Sequence, residues 1–163
     1  MTAIFFSVLF AHAGAADARA VSETERPAES TASVLKVADE LAAAVRARDI
    51  DALLRFLPPG VLCIDSPVSR QEIEKELRRE DSWLAAYFFR PDTFRKRFAD
   101  LLVPMSFAEF LDTARDLRVT MPGKQDKHFP CVLFAAANIK PGHSFCLQQY
   151  GRRWVFRDLP GCG

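Results

Sequence analysis

Two hydrophobic periodicities divide this chain near Leu117, and a fold of one class cannot satisfy both. Up to that point apolar residues recur every three or four positions, the spacing that gives a helix one buried face. Beyond it they form a continuous run from Cys131 to Ala137, then alternate, with Phe145 and Leu147 set between Cys146 and Gln148. Such runs suit strands covered on two faces or on one. Helices segregated along the chain from an antiparallel meander read as α+β, with several N-terminal and central helices packed on the sheet.

The local signals agree. Val34, Val37, Ala38, Leu41, Ala42 and Val45 share a helical face over 34–47, with Thr31 or Ser33 placed to cap it. Asp49 caps a second short helix carrying Ile50, Leu53, Leu54 and Leu57, which Pro58-Pro59-Gly60 ends. Val61 to Ile64 reads as a short buried strand. Ser69 with Glu72, and Ser106 with Glu109, have the spacing of capping boxes, and each precedes helical periodicity. Asp81 or Ser82 can recap the stretch holding Leu84, Tyr87 and Phe88, and Pro91 opens a further helix with Phe94 and Phe98. Arg118 to Met121 reads as a strand and Lys140-Pro141-Gly142 as a turn. Trp154, Val155, Phe156 and Leu159 belong to the last strand.

With 163 residues the chain suits one domain. Residues 1–18 have the pattern of a signal peptide: Ile4 to Ala11 is apolar, and alanine-rich cleavage options follow. Residues 19–32 are polar and small and read as a flexible lead-in, so the domain is expected over 33–163. Lys plus Arg number 22 against 21 Asp plus Glu, a net +1 that argues against a bulk nucleic-acid binder. After the N-terminal stretch no apolar run is long enough for a spanning helix, so membrane insertion is not expected.

Cys63, Cys131, Cys146 and Cys162 form an even set, which in an exported protein points to disulfides. A turn centred on Lys140 and Pro141 would set Cys131 opposite Tyr150 and Cys146 opposite Ala135. That register disfavours a Cys131–Cys146 bridge and leaves the other two pairings open. None of the four sits in a Cys-x-x-Cys, so neither a metal site nor a cofactor is expected.

Two stretches carry a family resemblance. Residues 33–90 hold a long helix, the step Arg48-Asp49-Ile50-Asp51-Ala52-Leu53-Leu54, a short strand, and a helix opened by Ser69 and Glu72. Residues 129–159 end in Gly151-Arg152-Arg153-Trp154-Val155-Phe156. Together, about half the chain resembles the cone-shaped fold of nuclear-transport-factor-2-like proteins, and helical residues 91–117 depart from it. The resemblance implies a pocket near one end of the sheet and pairing of two copies through their sheets. It transfers no catalytic residue.

The chemistry-bearing residues have ordinary roles to weigh against reactive ones. Asp65, in Asp-Ser-Pro, reads first as a turn residue bonding nearby backbone, and its alternative is a general base. His128 and His143 both flank turns, where solvated imidazoles are common; paired with Asp65, either would complete an acid–base couple. Trp83 and Tyr87 lie one helical turn apart in the most aromatic stretch, so they are core residues or the lining of a ligand groove. The sum is an exported, non-catalytic binding or interaction module, in the periplasm or outside the cell. A small apolar ligand, a protein partner or a second copy are its expected partners. A small pocket enzyme of the cyclase or isomerase kind, and a secreted inhibitor or immunity protein docking through the meander, are the alternatives.

Overall fold

Helix α1, Arg26–Arg46, shows how closely local chemistry and packing agree. Val34, Ala38, Leu41 and Val45 follow one another along its inner side and are buried. The computed structural model describes residues 26–60 (side chains from 31), 68–98, 103–123 and 129–160. α1 starts at Arg26, seven residues before Ser33, so Thr31 and Ser33 lie within the helix and do not cap it. The expected signal peptide, the strand over 61–64, Asp65, His128, Cys63 and Cys162 fall outside the described residues.

α1 ends on a left-handed residue, Arg48, at φ 54°. The Arg48 N–H donates to the Val45 carbonyl at 3.0 Å and the Asp49 N–H to the Ala44 carbonyl at 2.9 Å, the paired bonds of a Schellman motif. Asp49 at once caps α2, Ile50–Leu54, its Oδ1 accepting from the Ala52 N–H at 2.8 Å. Ser69 and Glu72 close the expected capping box on α3, Arg70–Arg78. Ser82 caps α4, Trp83–Phe89, and α5 follows as Pro91–Phe98. Ser106 caps α6, Phe107–Thr113, but Glu109 does not return the bond: its carboxylate faces Arg95 Nε at 3.0 Å. Phe94, Phe107, Phe110 and Leu111 are buried, so α5 and α6 build the core.

The sheet is an antiparallel meander in the order β1-β2-β3-β4, comprising Arg118–Thr120, Cys131–Ala136, Ile139–Tyr150 and Arg153–Phe156. The fold is α+β. Val132, Phe134, Phe145, Leu147 and Phe156 share the inner face and pack against the helices. Two hydrogen bonds tie the sheet to the N-terminal half. Trp154 Nε1 donates to Ser33 Oγ at 3.0 Å, and the Phe156 N–H donates to the Phe56 carbonyl at 2.7 Å.

The β2–β3 turn is not at Lys140-Pro141-Gly142. It lies at Ala137 and Asn138, and those three residues are inside β3. Asn138 fixes it there: its Oδ1 accepts from the Arg115 N–H at 2.7 Å, and its Nδ2 donates to the Thr113 carbonyl at 2.9 Å. Gly142 serves close strand approach, because a Cβ there would collide with the Phe134 carbonyl. The shifted turn puts Cys131 directly opposite Cys146, and the two are bridged, with Cα atoms 3.9 Å apart. The expectation against that pairing is thereby corrected. The Leu147 N–H donates to the Pro130 carbonyl next door, so the cysteines occupy a non-hydrogen-bonded position, where strands approach most closely.

Candidate functional site

Three residues singled out by sequence meet in space. Trp83 and Tyr87, one turn apart on α4, stack with ring centres 4.8 Å apart and planes 11° from parallel. Tyr87 Oη lies 2.7 Å from His143 Nδ1, joining α4 to β3. His143 is therefore not a solvated turn residue. It stands on the inner face two positions from Phe145, and only 9% of it is exposed; Tyr87 is 3% exposed.

Rings enclose the pair. Phe110 lies 4.9 Å from the imidazole and Phe107 5.4 Å, both from α6. Phe88 and Phe94 stand edge-on to Tyr87. In such surroundings the charged form of either group loses hydration without gaining a counter-charge. Burial pushes His143 down to about 4 and raises the Tyr87 hydroxyl. Both are neutral near pH 7, so the phenol donates to Nδ1 or accepts from it according to the imidazole tautomer. Buried side-chain nitrogen and oxygen atoms among the described residues all have partners. The arrangement holds a proton in place within the core; it does not present one at a surface.

The other face of the sheet is different. Cys131, Cys146, Gln148, Tyr150, Arg153, Val155 and Arg157 alternate with the inward residues and point away from the helices. Val155 is fully buried, so this face is covered at its middle and open towards Tyr150 and Arg153. Arg157 lies over the Phe129 ring at 4.4 Å and Arg153 over Tyr150 at 5.8 Å. Tyr150 is 51% exposed and Phe129 36%. Period-two parity from Cys146 onward carries the signal for this face. The misplaced turn hid the same parity at His143. Among the described residues no group of three His, Cys, Asp or Glu could hold a metal, and no helix is long and apolar enough to cross a membrane.

No protein-family model matches the chain, and neither a curated protein nor a solved structure does.

Proposed function

We propose that this protein is an exported, non-catalytic interaction module that docks a protein partner through its disulfide-tied meander. One observation carries the reading. Tyr87 and His143, the acid–base side chains that the fold brings together, are turned on each other inside an aromatic core, while two aromatic–arginine pairs stand outside it, Tyr150 with Arg153 on β3 and β4 and Phe129 with Arg157 just before β2 and just after β4. Tyr and Arg are the residue types enriched where protein interfaces concentrate their binding energy. The Cys131–Cys146 bridge supports export, because disulfides persist in oxidising compartments. A cone-like fold of the nuclear-transport-factor-2 kind belongs to this reading, supported by the succession of α1, α2, α3 and a closing antiparallel meander.

Native mass spectrometry of the protein recovered, unreduced, from the cells that make it tests the proposal. A stoichiometric complex with one other protein is expected. A bound small molecule, with turnover that His143→Asn abolishes in a folded variant, would overturn it in favour of a pocket enzyme.

A further inference from the structure

The near-neutral total conceals a separation of charge. Residues 118–158 carry seven of the 22 basic residues and two of the 21 acidic ones, a net +5 that leaves −4 for the rest of the chain. On the helical side acids and bases are interleaved: Arg78 pairs with Asp51, Arg79 with Glu76, Arg90 with Glu80, Arg95 with Glu109 and Arg97 with Asp81, while Arg46, Arg55, Arg70, Lys75 and Lys96 form no ion pair among the described residues. On the sheet side, Arg118, Arg152 and Arg153 form no ion pair among the described residues, and Arg157 meets only its neighbour Asp158, at 3.4 Å.

We infer that the β3–β4 end of the sheet's outer face docks an acidic polypeptide segment, whose carboxylates engage Arg153 and Arg157 beside Tyr150 and Phe129, with Arg152 in the adjoining β3–β4 turn. The inference rests on the interaction-module reading and adds the chemistry of the partner. Guanidinium is a planar fork matched to carboxylate, and a ring beneath it restricts its motion, lowering the entropy lost on binding. Arg153 over Tyr150 and Arg157 over Phe129 are held in that manner. The same contacts favour a peptide over a single-stranded nucleic acid, because ring faces already covered by arginine are not open platforms for base stacking. The bridge between Cys131 and Cys146 fixes the strands under the patch.

The test titrates the full disulfide-bonded chain with a fluorescein-labelled glutamate-rich peptide and, separately, with an oligothymidylate of similar length. Binding of the peptide that weakens with salt is expected. R152E/R153E/R157E should weaken it about tenfold or more, and Tyr150→Ala about threefold with net charge unchanged. The helical-side control Lys36→Glu/Arg55→Glu should leave affinity for the peptide within about twofold. Should the triple variant fail to fold, Arg153→Glu alone carries the comparison. No binding of the peptide, binding unmoved by the reversals, or tighter binding of the oligothymidylate would overturn the acidic-polypeptide assignment. The recovered-complex experiment then still decides, independently, whether the protein is an interaction module.

Discussion

At the scale of single residues, the Tyr87–His143 pair sets how this protein responds to acid. An unfolded imidazole takes up its proton near pH 6.5, whereas the folded one does so only near 4. Between those values the unfolded state binds more protons, so stability is present above about pH 6.5 and is lost as pH falls towards 4. The expected loss is about 3 kcal/mol between pH 7 and pH 4, read by urea unfolding at each pH, and His143→Gln should flatten that slope. Tyr87→Phe leaves Nδ1 buried without its partner, and should lower stability at pH 7 by about 1–3 kcal/mol in the same assay. The aromatic half of this cluster was legible: Trp83 and Tyr87 share a helix face by spacing alone. Their contact with His143 was not. It depends on the β2–β3 register, which is set by a turn at Ala137 and Asn138, and the pair itself is separated by 56 positions, so nothing local to Tyr87 announces it.

At the scale of elements, capping chemistry was the most readable part of the chain. Asp49, Ser69, Ser82 and Ser106 each accept a backbone N–H at the helix start that their position suggested. These bonds form within three residues, so they need no tertiary information. Asp49→Ala should lower stability by about 1 kcal/mol, and Arg48→Gly should raise it by about 0.5 kcal/mol by relieving a left-handed arginine; thermal melts of the two variants check both. The β2–β3 turn was misread for the opposite reason. Pro-Gly is a strong turn signal, yet Asn138 clamps Ala137 and Asn138 to the end of α6 through two long-range bonds, and Gly142 is needed where β3 passes the Phe134 carbonyl. Tertiary contacts outvoted a local preference, and the disulfide pairing followed the register.

At the scale of the whole molecule, the sheet separates two environments. Its inner face completes an aromatic core, and its outer face carries the bridge and the exposed rings with the arginines that lie over them. The α+β class was legible from the change of period near Leu117; the assignment of faces was not, because it needed the correct turn. Cys131 and Cys146 are 15 residues apart, and removing the cross-link by Cys131→Ala/Cys146→Ala should cost about 3 kcal/mol in chemical unfolding, by the entropy of closing a loop of that length. The claim that function resides outside the core is tested most directly by photo-crosslinking in the cells that make the protein. A photoreactive phenylalanine analogue is placed at Tyr150 in one variant and at Trp83 in another, and adducts are resolved by mass. A discrete protein adduct from position 150, with none from position 83, is the predicted result. An adduct from position 83 with none from position 150 would contradict it and return the search to the helical side of the molecule.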